Sequence, residues 1–153
     1  MSTFHESERD VPVVEDTDVV VCGSGPAGIC AAIAAARTGA KTRLIEVHGC
    51  LGGVWTAGAL SWVIDSAGKP GIMEEITGEL ERRGARATRV PDGKNYAYDV
   101  EAMKLLLEEM CVEAGGDVRL HTRVVAAARD AENHLSVVVT ESKSGREAWA
   151  AKV

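Results

Sequence analysis

Three glycines and one acid have the clearest chemical spacing in this chain. Gly23, Gly25 and Gly28 form a GxGxxG pattern inside Cys22-Gly23-Ser24-Gly25-Pro26-Ala27-Gly28, and Glu46 stands 18 residues beyond Gly28. The pattern alone is weak. It gains meaning with a strand before it, a helix after it and an acid closing the next strand, and the sequence supplies all three. Gly23 permits a tight turn, and Gly25 lets the backbone approach a pyrophosphate. Gly28, with Ala32, lets the helix lie close to the strands. The helix start offers unpaired N–H groups and a partial positive charge to phosphates. Glu46 is placed to accept hydrogen bonds from ribose hydroxyls. No arginine follows it to take a 2′-phosphate, which argues against NADP. The bland alternative is a glycine-rich turn in a purely structural α/β protein.

The elements that must position these residues are legible around them. Val19-Val20-Val21, within a strand read over Asp18–Cys22, is a continuous β-branched run, as in a parallel strand covered on both faces. Pro26 suits a first helical turn, where its missing N–H costs nothing. The helix runs to Arg37 on small residues and Ile29 and Ile33, and Gly39 closes it. Lys41–Ile45 is the second strand, completing a βαβ unit. Of the 16 glycines, half lie between Gly23 and Gly58, including a second turn at Gly49-Cys50-Leu51-Gly52-Gly53. A helix is expected over Gly71–Arg83, a loop over residues 84–98, and a helix over Val100–Ala114 capped by Asp99. In the last helix Met103, Leu106, Leu107, Met110, Cys111 and Ala114 make one apolar face. Short strands follow at Asp117–His121, Val124–Ala128, Leu135–Glu141 and Arg146–Ala150, with a hairpin at Ser142-Lys143-Ser144-Gly145. Residues 1–17 read as a flexible lead-in, and 18–153 as one domain.

Other candidate chemistry is thin. Cys50 has neither partner of a CxxxxC pair, since Ile45 and Trp55 occupy those positions. A dithiol at this turn is excluded. A thiolate at Cys50 is conceivable beside backbone N–H groups, although a small residue filling a tight turn explains it as well. Cys22, Cys30 and Cys111 read as core residues. His48 is placed near the acid and is read as a loop residue, with proton donor or covalent cofactor attachment point as alternatives. Trp55, Trp62, Asp65, Tyr96 and Tyr98 carry no fixed role. The Tyr-x-x-x-Lys pair of short-chain dehydrogenases is absent, and no Ser-His-Asp set can be argued. No catalytic residue is assigned, and no metal site is expected.

Composition bounds the rest. The chain has 153 residues, 46% hydrophobic and 26% charged, with a net charge of −6. That is one domain with its own core. The acidic balance argues against a nucleic-acid partner. The apolar stretch at Val19–Ala36 is broken by Gly23, Ser24, Gly25 and Pro26, so no membrane span is read there. Four scattered cysteines and no signal peptide fit a cytoplasmic protein.

The fingerprint does not separate NAD from FAD. The segment Asp18–Thr56, DVVVCGSGPAGICAAIAAARTGAKTRLIEVHGCLGGVWT, resembles the N-terminal region of FAD-dependent oxidoreductases of the glutathione-reductase-like fold. Gly52-Gly53-Val54-Trp55-Thr56 is similar to the GGxxT turn that a broad bacterial family of such enzymes carries after its ribose-binding acid. Asp99–Val153 also resembles the family. The resemblance implies a Rossmann-like α/β domain with a mostly parallel sheet and an added small antiparallel β unit. It implies FAD in extended form. Gly23, Gly25 and Gly28 would meet the pyrophosphate, Glu46 the adenosine ribose, and the Val124 backbone the adenine. Ser24, Pro26, Ala27 and Val47 would also bind the cofactor. Gly52, Gly53 and Thr56 would lie near the pyrophosphate or ribityl chain. The implied function is FAD binding within an oxidoreductase acting on a small-molecule substrate of unknown type. Family members continue past a strand like Ala148–Val153, so the domain is expected to be incomplete at its C-terminus. An NAD-dependent dehydrogenase domain, a non-catalytic nucleotide-binding module and a truncated product stay open. So does a C-terminal partner chain or a homo-oligomer.

Overall fold

The computed structural model describes residues 2–5, 7–87 and 94–153. Nine strands and three helices are described: β1 (Val13–Thr17), β2 (Val19–Cys22), α1 (Pro26–Arg37), β3 (Thr42–Ile45), β4 (Trp62–Val63), α2 (Ile72–Arg82), β5 (Tyr96–Ala97), α3 (Val100–Glu113), β6 (Asp117–Arg119), β7 (Arg123–Arg129), β8 (Leu135–Ser142) and β9 (Gly145–Ala151). The nucleotide-type core is the parallel sheet β2-β3-β6. Val19 pairs with Thr42, Cys22 with Ile45, and Ile45 with Arg119. All four residues of β3 are buried, as a central strand requires. One of them is charged. Arg43 is held by an ion pair to Asp117 at 2.6 Å, and its guanidinium lies 5.0 Å from the Trp149 ring centre. A partner carboxylate and an aromatic face are what a buried guanidinium needs.

α1 buries Ile29, Ala32, Ile33 and Ala36. α3 buries Met103, Leu106, Leu107, Met110 and Cys111, which are five of the six positions of the expected face. Together with Leu44, Ile76, Leu80, Tyr96 and Tyr98 these make one core. At about 25 cal/mol per Å² of apolar area, such burial is the main force holding the helices on the sheet.

The second layer differs from expectation in one respect. The antiparallel run β7-β8-β9 is present, and its β8–β9 turn pairs Ser142 with Gly145 as read. A parallel strand, β1, adds to it along β9, with Asp16 opposite Ala150 and Thr17 opposite Ala151. Val13–Thr17 is thus a strand where the sequence predicts part of a flexible lead-in. Val13-Val14 followed by Glu15-Asp16 shows no period-2 alternation, and the pairing strand β9 lies more than a hundred residues away. Two further corrections are local. The loop read over residues 84–98 contains β5, which pairs with β4, and residues 88–93 lie outside those described. Cys22, read as a core residue, is exposed, whereas Cys111 is buried. Cys22 is the last residue of β2, where the sheet opens toward the fingerprint turn.

Candidate functional site

The fingerprint turn is built by close approach of backbone to backbone. Gly23 adopts φ +97°, a left-handed conformation that favours glycine. A Cβ on Gly28 would sit 2.0 Å from the Gly23 carbonyl oxygen. No side chain fits there, so α1 begins directly against the end of β2. Gly25 is the residue before α1. It donates no side-chain cap, Pro26 follows it in the first turn, and no acid lies in that turn. A Cβ on Gly25 would meet nothing within 4 Å. The start of α1 therefore has free N–H groups and open space in front of them.

The second glycine turn is clamped onto the first. The Gly52 N–H donates to the Ser24 carbonyl at 2.9 Å. A Cβ on Gly53 would lie 2.8 Å from the Gly25 Cα. Gly52 and Gly53 have φ of +108° and +54°, and a short 3-10 turn runs over Gly53–Trp55. Thr56, buried, closes this loop by donating its hydroxyl to the Leu51 carbonyl. Tyr98 fixes the far side, its hydroxyl lying 2.8 Å from the carbonyls of both Trp55 and Leu60. Burial, with Tyr96 beside it, pushes the Tyr98 phenol up to about 12, so it stays a neutral hydrogen-bonding group.

Glu46 sits at the end of β3 and is 4% exposed. Its Oε2 accepts from the Ser24 N–H at 2.7 Å and from the Ser24 hydroxyl at 2.5 Å. Its Oε1 accepts from the His48 N–H at 2.8 Å. Burial opposes the charge, but these bonds outweigh it and hold the carboxyl below its ordinary value of 4.5. A carboxylate has about four acceptor positions. The chain fills three of them, leaving capacity on Oε1. Beside it lies a cavity of about 230 Å³ lined by Gly23, Glu46, Val47, Thr122, Arg123 and Val124, with Cys22 and Ile45. The Thr122 N–H donates to the Glu46 carbonyl at 2.9 Å and ties the start of β7 to this wall.

The sequence-predicted residues thus fall into two adjoining groups. Gly23, Glu46, Val47 and Val124 share the cavity. Gly25, Pro26, Ala27, Gly28, Gly52, Gly53 and Thr56 build the paired turns. Ser24 lies behind both, fully buried, and spends its side chain on Glu46. Cys22, Thr122 and Arg123 were not read as site residues. Thr122 and Arg123 directly precede Val124, but only the pairing of Thr122 with Glu46 shows that they line the same wall. His48 is exposed and contributes its backbone N–H. Tyr96 and Tyr98 are buried structural groups in edge-to-face contact at 6.2 Å. Trp55, Trp62 and Asp65 line a separate cavity of about 370 Å³. No group of three or more metal-ligating side chains occurs among the described residues. No helix among them is long and apolar enough to cross a membrane.

A glycine-clamped helix start beside a carboxylate-walled cavity, on a parallel sheet, defines a Rossmann-like dinucleotide-binding domain. The chain belongs to the FAD dependent oxidoreductase family, whose sequence profile matches residues 18–153. A thioredoxin reductase from Mycolicibacterium smegmatis is 32% identical over 130 residues, covering 84% of this chain and 40% of that protein. A dihydrolipoyl dehydrogenase from Trypanosoma brucei brucei is 51% identical over 45 residues, 29% of this chain and 9% of that one. Among solved structures, a geranylgeranyl bacteriochlorophyll reductase-like protein from Thermoplasma acidophilum superposes with a TM-score of 0.67 at 21% identity, over 91% of this chain and 38% of its own. The myxobacterial chondrochloren halogenase, an FAD-dependent enzyme, gives 0.67 at 23% identity, over 90% and 36%. These superpositions show the fold. The chain spans 40% or less of the curated relatives it matches.

Proposed function

We propose that this chain is the FAD-binding part of a flavin-dependent oxidoreductase. In this reading the adenosine occupies the cavity beside Glu46. The open acceptor position on Glu46 Oε1 takes a ribose hydroxyl, and the backbone around Val124 borders the adenine. The pyrophosphate lies at the start of α1, on the open Cβ side of Gly25. The single observation that carries the reading is the clamp itself. Gly53 touches Gly25 and Gly28 touches Gly23, and yet a Cβ on Gly25 would meet nothing within 4 Å. Backbone packed this tightly around an uncapped helix start fits an extended pyrophosphate.

The isoalloxazine ring of bound FAD supplies the redox chemistry. The chain's residues bind and orient. Glu46, ionised and held by Ser24 and His48, fixes the ribose end. The Tyr98 hydroxyl keeps the second glycine turn in place. The substrate is a small molecule. The names of the matched thioredoxin and dihydrolipoyl enzymes suggest disulfide chemistry, but Cys50 has no cysteine at either pair position. We therefore read the transfer as independent of a dithiol at this turn.

The test is the visible absorbance spectrum of purified protein after FAD addition and desalting. Retained flavin absorbance that is lost in Gly25→Glu supports the reading. A well-folded protein that retains no flavin, but binds NAD with the same Gly25 dependence, overturns it in favour of a nicotinamide site.

A further inference from the structure

We propose that the cleft between the β6–β7 turn and the β8–β9 hairpin binds the phosphate group of a small molecule other than FAD. The cleft has a volume of about 230 Å³, and Arg119, His121, Thr122, Ser142, Lys143 and Ser144 line it. At roughly 30 Å³ per water, that is the space of about eight waters, ample for a phosphate or pyrophosphate.

The charge in this cleft is unlike that elsewhere on the chain. The protein carries a net charge of −6. Its described cations mostly sit on carboxylates: Arg37 on Glu75, Arg43 on Asp117, Arg83 on Glu109, Arg86 on Glu81 and Lys104 on Glu101. Arg119 and Lys143 make no ion pair among the described residues, and no acid lines the cleft. Two cations brought together without a counter-charge in an acidic protein is an arrangement that an anion completes.

The groups are also held in place before any ligand arrives. The Arg119 guanidinium lies 5.3 Å from the Trp149 ring centre, and Trp149 is anchored by its own N–H to the Thr140 hydroxyl at 2.8 Å. A stacked guanidinium keeps its planar fork for bidentate bonds to phosphate. Ser142 Oγ accepts from the Ser144 N–H at 3.1 Å, which leaves its own O–H to donate. His121 has a left-handed backbone at φ +54°, uncommon for a non-glycine residue. Its N–H donates to the His48 carbonyl at 3.1 Å. Its ring packs against Gly49, where a Cβ would lie 2.7 Å away. Backbone conformations of this kind persist where the surroundings over-determine them. Thr122 lines both this cleft and the cavity beside Glu46, so an anion here would sit next to the adenosine site.

The probe is inorganic pyrophosphate, titrated calorimetrically at constant ionic strength, with and without saturating FAD. One saturable site that remains under saturating FAD is expected, whatever pyrophosphate FAD displaces from the start of α1. Arg119→Gln and Lys143→Gln should each weaken it by about tenfold, the loss of one charge-assisted hydrogen bond. Lys143 is exposed on a hairpin turn, so Lys143→Gln leaves the fold intact and keeps the test valid if Arg119→Gln disturbs Trp149. Arg82→Gln, an equal loss of charge on α2, and Gly25→Glu should leave the site unchanged. Pyrophosphate binding wholly displaced by FAD, or wholly lost in Gly25→Glu, overturns the proposal. So does the absence of saturable binding, or binding indifferent to both cleft substitutions. Binding through Arg119 and Lys143 in a protein that retains no flavin supports this site while the FAD reading fails.

Discussion

α1 and α3 are helices of similar length in the same core, and they begin in opposite ways. α3 satisfies its own start. The Asp99 carboxylate accepts from the Ala102 N–H at 2.9 Å, and Glu101 adds a negative charge to the first turn. Both features favour the positive end of a helix. α1 has a glycine before it, no side-chain cap and no acid in its first turn. Glu46 instead accepts hydrogen bonds from Ser24, just outside the helix. The difference separates a helix start that satisfies its own N–H groups from one that leaves them open. α3 is capped because its role is to fill the core. α1 is left uncapped, and the packing that a cap would have supplied comes from Gly28 against Gly23 and Gly53 against Gly25.

That contrast breaks first at Gly28. Gly28→Ala puts a methyl 2.0 Å from a backbone oxygen that cannot swing away. α1 must shift, and a loss of about 3 kcal/mol is expected in urea unfolding, at the upper end for overpacking. Flavin retention should fall with it. Gly25→Ala sharpens the comparison from the other side. A methyl there meets nothing, so stability should hold while FAD retention drops. A Gly25→Ala protein that binds FAD normally would mean that the open helix start is not the phosphate site.

Glu46→Gln is the next largest effect. The carboxylate is buried and receives three hydrogen bonds, so its neutral replacement should cost about 2 kcal/mol at pH 7. The pH dependence has a definite sign. Glu46 titrates below 4.5 in the folded chain. Its stabilisation is present above the unfolded value and is lost as pH falls through the lower folded value. The gap between wild type and Glu46→Gln should therefore close in acid. A gap independent of pH would show that the charge itself contributes nothing.

How much of this was legible follows the range of the interactions. The βαβ unit was readable because its signals are local: a valine run, a proline in the first turn and glycines at fixed spacing. Asp99 as the α3 cap was readable for the same reason. The helix edges agree to within two residues. β1 was not, because the strand it pairs with, β9, lies at the far end of the chain. β4 and β5 are two residues each, too short for any periodicity to show. At the site, the glycines and Glu46 were visible as a motif. Their contacts were not. Nothing in the spacing says that Gly53 would rest on Gly25, or that Ser24 would take both its hydroxyl and its N–H to Glu46. The resemblance carried Val124 into the site. The Thr122 hydrogen bond to Glu46 supplies the physical reason it stands there.

The two smallest predictions test whether the supports of the two helix starts are independent. Tyr98→Phe removes the hydroxyl that meets the carbonyls of Trp55 and Leu60, and should cost about 1 kcal/mol. Because that hydroxyl holds the turn that rests on Gly25, FAD retention should weaken too. Asp99→Ala removes the α3 cap and should also cost about 1 kcal/mol. Here FAD retention should be unchanged, since Asp99 caps a helix that does not face the cavity beside Glu46. The pair has matched stability losses and different binding outcomes, which separates a positioning role from a general loosening of the core. If Asp99→Ala lowers flavin retention as much as Tyr98→Phe, the two helix starts are coupled through the core they share. The site would then depend on global stability rather than on the clamp of its two glycine turns.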